Sequence, residues 1–172
     1  MTLFTFGHGT ASREEFARLV RSVGIEEIVD IRSFPGSRRN PQFGKDEMAQ
    51  WLPETGLKYT WFPDLGGRRK PRPDSPHVAL RHPAFRAYAD HMETDVFLTA
   101  IDRLIDATRV RAVMCSESVW WRCHRRLVAD HLVLVREIEV THLMHDGRLT
   151  AHPPTSGVRL ASKGLVYDVP TD

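Results

Sequence analysis

The densest run of reactive side chains in the sequence is Met114-Cys-Ser-Glu-Ser-Val-Trp-Trp-Arg-Cys-His-Arg-Arg126, which contains both cysteines of the chain. Cys123 falls near an expected helix start, among Arg122, His124, Arg125 and Arg126. A helix N-terminus and nearby cations both favour a thiolate, which makes Cys123 a candidate nucleophile. The competing reading is a buried thiol in a first helical turn. His124 and Glu117 are candidate proton carriers. Glu117 could instead form an ion pair with Arg32 or Arg125. Cys115 ends a strand, where a cysteine often serves as a small core residue. It is read either as a wall contact to substrate or as packing behind the site. The two cysteines match neither a Cys-x-x-Cys redox pair nor a phosphatase loop. In that loop an Arg would stand where this chain has Trp121. No four-ligand spacing joins the cysteines and histidines, so no metal is expected.

The elements that must position these groups follow from hydrophobic period. Leu3–Phe6 reads as a first strand, stopped by Gly7-His8-Gly9. Thr10 or Ser12 can cap a helix with an acidic first turn, Glu14 and Glu15, and Gly24 closes it. Strand two, 25–31, ends in Asp30-Ile31-Arg32. Strand, short helix, strand is the signature of a parallel βαβ unit. A helix over 45–55, a strand over 57–62 and two more helices through 105 follow. Residues 64–83 form a long stretch without periodicity, of the kind that is commonly functional or mobile. Arg111–Cys115 reads as a buried strand, Trp121–Leu134 as a helix and Ile138–Met144 as a fifth strand. The expected fold is α/β: a Rossmann-like, open, mostly parallel sheet of about five strands flanked by helices. One domain spans 1–147. The tail, 148–172, is weakly patterned and is expected to pack on the surface or fray.

In such sheets ligands bind beyond the carboxyl ends of the strands. Those ends supply His8, then Asp30 and Arg32, then Gly66, Gly67 and Arg68, then Cys115 and Glu117. His8 stands between glycines, where backbone can approach a ligand closely; a capping or core histidine is the alternative. Arg32, Arg38, Arg68 and Arg125 are expected to hold anionic oxygens, because the guanidinium fork suits phosphate. Phe34, Phe43, Trp61, Trp120 and Trp121 are aromatics able to stack on bases.

Composition sets limits. The 172 residues, 41% hydrophobic and 27% charged, suit one folded domain. A net charge of +2 does not by itself predict nucleic-acid binding. Two cysteines cannot build a disulfide framework, and neither a signal peptide nor a membrane span is legible. A cytoplasmic location without membrane contact is expected.

Taken together, Thr5-Phe-Gly-His8, Val29-Asp-Ile-Arg32 with Pro35 and Ser37-Arg38, Gly56-Leu-Lys-Tyr59, Leu65-Gly-Gly-Arg68, Phe85 to Met92, and Met114-Cys-Ser-Glu117 with Cys123-His-Arg125 resemble the domain-of-unknown-function 488 family, small prokaryotic proteins. The pieces run from residue 5 to about 147. Gly9 stands where a Ser is expected. The resemblance implies an α/β fold and supplies no reaction or cofactor.

Three functions are compatible with the residues. The first is an enzyme acting on a phosphorylated or nucleic-acid-related substrate, with His8, Glu117, Cys123 and His124 as catalytic candidates. Asp30, Arg32, Arg38, Gly66, Gly67, Arg68, Cys115 and Arg125 would then bind the substrate. The others are a non-catalytic nucleic-acid-binding module and a thiol redox sensor. The partner is an anionic small molecule or a nucleic acid.

Overall fold

The computed structural model describes residues 1–171. The polar loops and apolar runs resolve into strands β1 (Thr2–Gly7), β2 (Glu27–Asp30), β3 (Lys58–Trp61), β4 (Arg111–Cys115), β5 (Glu139–Leu143), β6 (Leu149–Ala151), β7 (Val158–Ala161) and β8 (Gly164–Tyr167). The helices are α1 (Arg13–Ser22), α2 (Lys45–Glu54), α3 (Pro83–His91), α4 (Asp95–Ile105) and α5 (Arg125–Leu134). Six strands form one sheet in the order β3-β2-β4-β1-β5-β6, parallel except for β6. The sheet is thus Rossmann-like and mixed α/β, with one strand more than expected.

Local signals explain the element ends. Ser12 caps α1, its hydroxyl accepting from Glu15 N at 3.1 Å, and caps of this type contribute about 1 kcal/mol. Gly24 follows with φ 82°, a conformation that a Cβ would strain. The expected helix over 121–134 begins later. Trp120–Arg122 form a single 3-10 turn, Cys123 is extended, and α5 starts at Arg125. At this break the Trp120 ring lies flat on buried His142, 4.4 Å between centroids.

Alternation along the strands divides the core into two layers. Phe6, Ile28, Ala112 and Met114 meet Phe16, Leu19 and Val20 of α1 and Met48, Trp51 and Leu52 of α2 on one face. Leu3, Val29, Ile31 and Val113 meet α3, α4 and α5 on the other. Neighbours β1 and β4 therefore feed helices on opposite faces: β1 runs into α1, and β4 leads to α5. Neither helix covers the crevice between them, which is the switch point of an open parallel sheet.

The segment after residue 147 adds β6 to the sheet, buries Leu165 and Tyr167 in the core and is tied down by a buried polar row that carries no periodic pattern. His142 Nε2 donates to His152 Nδ1 (2.8 Å), His152 Nε2 to Asp130 Oδ1 (2.7 Å), and Tyr167 Oη to Asp130 Oδ2 (2.8 Å). Thr5 Oγ1 completes the row at His142 Nδ1. All five residues are buried. Burial lowers the His142 pKa and keeps that ring neutral. No helix among the described residues is long and apolar enough to cross a membrane.

Candidate functional site

The switch-point crevice is a cavity of about 830 Å³ at the carboxyl ends of β1, β2 and β4, with the turn after β5 on one side. That volume lies within the range of small-ligand pockets. Strand register builds it. Gly7 lies opposite Cys115, and Asp30 opposite Met114. The ladder then runs past the strand ends: His8 N donates to Cys115 O (3.0 Å), Gly9 N to Ser116 O (2.9 Å) and Ile31 N to Met114 O (2.9 Å). The loop after β4 is folded against β1 so closely that a Cβ at Gly7 would overlap the Glu117 carbonyl. Glycine is required there for approach.

Arg32 is the fixed cation of the wall. Asp30 accepts from its Nε (2.9 Å), its Nη2 (2.7 Å) and its backbone N (3.1 Å), and also from Tyr59 Oη. Nη2 reaches Phe43 O as well (2.7 Å), and Nη1 donates to His8 Nε2 at 3.2 Å. Asp30 is fully buried and Arg32 8% exposed, so water does little to screen the pair. Burial raises the Tyr59 phenol pKa, and the adjacent Asp30 charge raises it further.

His8 is buried and stacked on Phe43, 4.3 Å between centroids. Its Nδ1 donates to Gly9 O (2.8 Å), which fixes the tautomer and leaves Nε2 as acceptor for Arg32. Burial lowers its pKa to about 4. Its proton-accepting lone pair is therefore occupied by Arg32, and the geometry gives it the work of orienting that cation.

The two thiols differ in their neighbours. Cys123 precedes α5, whose first backbone N–H, that of Arg125, points at its Sγ from 3.5 Å. Burial pushes the Cys123 pKa up, but the neighbouring Cys115 side chain and the Arg125 charge pull it down and the net shift is downward; the Cys115 thiol itself donates to Glu117 O at 3.7 Å. Cys115 is driven well above its ordinary value, by burial first and then by Cys123. His124 Nε2 donates to Ile31 O (3.0 Å), so its Nδ1 carries the lone pair, and it faces Cys123 Sγ at 3.7 Å. Burial lowers its pKa and keeps the ring neutral. A thiol beside an imidazole oriented by a third group is the general form of an activated nucleophile.

Of the residues singled out in the sequence, His8, Arg32, Gly67, Arg68, Cys115, Glu117, Cys123 and His124 line this one cavity. Four do not. Asp30 is buried beneath Arg32. Arg38 points into solvent from a loop whose neighbours Ser37 and Arg39 line the wall. Gly66 packs on Ser33, with a virtual Cβ 2.8 Å from its backbone N. Arg125 is buried behind the wall, where it donates to Cys115 Sγ (3.2 Å), Glu117 O (2.9 Å) and Ser118 O (3.3 Å). Through these contacts its guanidinium ties α5 to the Cys115–Ser118 loop. Glu117 is exposed, and among the described residues its carboxylate is in no ion pair with Arg32 or Arg125.

The cavity also takes in Arg39, Arg122 and His145. His145 follows β5 and donates from Nε2 to Gly7 O at 2.6 Å, so the strand-end rule extended to the fifth strand would have found it. Arg68 lines the wall with φ 60°, a left-handed conformation that costs a non-glycine residue about 1–3 kcal/mol. Away from the cavity, His77, Asp90 and Glu93 cluster with ligand-capable atoms within 4.8 Å. Arg72 occupies that cluster, 3.6 Å from Asp90 and 3.1 Å from Glu93, and supplies the positive charge itself.

The family model described as "Domain of unknown function DUF488" matches residues 12–132. The chain belongs to this family. The DUF488 match takes in β2, β4 and the start of α5, hence Arg32, Arg68, Glu117 and Cys123, and it stops short of His8 and His145 at either end. It is narrower than the run of motifs from 5 to 147. No curated protein and no solved structure matches the chain.

Proposed function

We propose that this DUF488 protein is an enzyme that binds a phosphate-bearing substrate in the switch-point cavity and uses Cys123 as its nucleophile. One observation carries the reading: a thiol with a lowered pKa and an imidazole lone pair 3.7 Å away line the same cavity as Arg32, Arg39, Arg68 and Arg122. Arg32, held rigidly by Asp30 and His8, sets the positive end of the site. Arg39, Arg68 and Arg122 supply forks for anionic oxygens. His124 Nδ1 takes the thiol proton as sulfur bonds to the substrate. The leaving group departs with the bonding electrons. Glu117, with an uncommitted carboxylate at the mouth, takes a proton from the water that releases the product.

Thiol alkylation tests this. At pH 7 iodoacetamide is expected to modify Cys123 well ahead of Cys115, read by peptide mass, and inorganic phosphate or pyrophosphate should slow that reaction. Equal reactivity of the two thiols, or no protection by either anion, would sink the proposal.

A further inference from the structure

Among the described residues, two aromatic side chains are largely exposed, Phe34 at 69% and Trp121 at 45%. The rest of the aromatic inventory is buried or half-buried. Isolated exposed apolar residues are ordinary on protein surfaces. These two, however, stand on the loops that wall the same cavity. Phe34 lines it just beyond β2, and Trp121 shares the turn after β4 with Arg122.

Both rings are braced. The Arg68 guanidinium lies over Phe34, 5.7 Å from the ring centroid. Trp121 packs edge-on to Trp120 at 5.6 Å, and Trp120 is itself stacked on buried His142. A ring held in place loses little rotamer freedom when a ligand lands on it. Exposed aromatic faces and arginines therefore share these loops, with Trp121 turned to the adjoining hollow lined by Trp120, Phe85 and Arg126, and Glu117 is the one carboxylate on the cavity wall among the described residues. That is the chemistry of single-stranded nucleic-acid binding, in which cations follow the backbone and bases stack on rings without sequence preference.

We propose that the substrate is single-stranded nucleic acid, with one backbone phosphate among Arg39, Arg68 and Arg122 and flanking bases stacked on Phe34 and Trp121. This rests on the cavity reading above and names its substrate class. A duplex keeps its bases in the helical stack and offers neither ring a face. A mononucleotide has a single base for two rings.

The test uses the full-length protein and labelled oligothymidylate and oligouridylate, each about twelve nucleotides long, a length that spans a typical single-strand site. Binding is followed by fluorescence anisotropy. At least one probe should bind, with log K falling with log salt at a slope of about −0.7 for the one phosphate placed among the arginines. Preference between the two probes separates DNA from RNA. Phe34→Ala and Trp121→Ala should each weaken binding about fivefold or more, the loss of one stacked base. Circular dichroism checks that both variants are folded, and Trp121→Ala, which removes no residue lining the cavity, should keep phosphate protection of Cys123. If phosphate protects Cys123 but neither oligomer binds, the nucleic-acid inference falls and the cavity reading stands. The nucleic-acid inference falls equally if both variants bind as wild type, or if a blunt duplex binds as tightly as the single strands. If neither phosphate nor oligomer binds, both readings fall.

Discussion

Replacing Asp30 by Asn tests the claim that the cavity is built around one immobilised cation. The carboxylate accepts four hydrogen bonds, three from Arg32 and one from Tyr59. Asn retains one oxygen and presents an amide donor where a second oxygen stood, so it faces donors with a donor. Arg32 keeps at most that one oxygen besides His8 Nε2 and Phe43 O, and it loses the negative charge that balanced it. Removing one member of a buried ion pair typically costs about 3–5 kcal/mol, because the other charge stays buried and unpaired. At about 2–4 °C per kcal/mol for a domain of this size, the melting temperature should fall by roughly 6–20 °C. Arg32→Met strands the carboxylate in the same way. The double variant, with neither charge, should be more stable than the sum of the single losses predicts, by about 1–3 kcal/mol. Urea denaturation followed by circular dichroism gives all four corners of the cycle. A loss below about 1 kcal/mol for Asp30→Asn, or additive single losses, would refute the reasoning.

Acid should destabilise the fold before its carboxylates titrate. Burial lowers His8 and His131 to about 4 and His142 to about 2, from 6.5 in the unfolded chain. The unfolded state therefore takes up protons below pH 6.5 while the folded state refuses them down to about 4. The stability these neutral rings confer is complete above pH 6.5 and is lost as pH falls toward 4, at roughly 1–2 kcal/mol per ring by pH 5. A urea midpoint at pH 5 equal to that at pH 7.5 would contradict this. Asp130→Asn should free the C-terminal segment, since Asp130 accepts from His152, Thr155 and Tyr167. Limited trypsin digestion should then cut at Arg148 or Arg159 faster than in wild type, and unchanged cleavage would argue that the segment is held by apolar contacts instead.

The parallel strands and their order in the chain were legible because each is a short apolar run between turn signals, and α1 because its cap, acidic turn and closing glycine agree. The edge where the polar groups gather followed from the strand ends alone. Strand order did not, since placing β4 between β1 and β2 depends on pairing distant in sequence. The role of Arg125 escapes the sequence for a related reason. An Arg beside a Cys and a His looks like an anion ligand until its partners, carbonyls of a folded-back loop, are known. Asp130, His152 and Tyr167 lack any spacing that announces a network, because their partnership exists only once α5, β5 and the tail are stacked. Glu117 stood out by type, yet it is the Glu117 carbonyl, through Arg125, that fixes the loop.

The strand order also bears on synthesis. β4 is the fourth strand made but fills the middle of the sheet, with β2 on one side and β1 on the other. In a chain that ends at α4, β1 and the β2–β3 pair lack the strand that joins them, since β4 fills a place about 10 Å across at two strand spacings. Both edges of that place are unpaired parallel backbone bordered by Phe6, Ile28 and Val29. The centre of the sheet and the Cys115–His124 wall of the cavity close only when residues 111–126 arrive, and the Met144–His145 side only after β5. Ribosome stalling, truncation or a frameshift before that point leaves an open template for pairing with another chain rather than a smaller working protein.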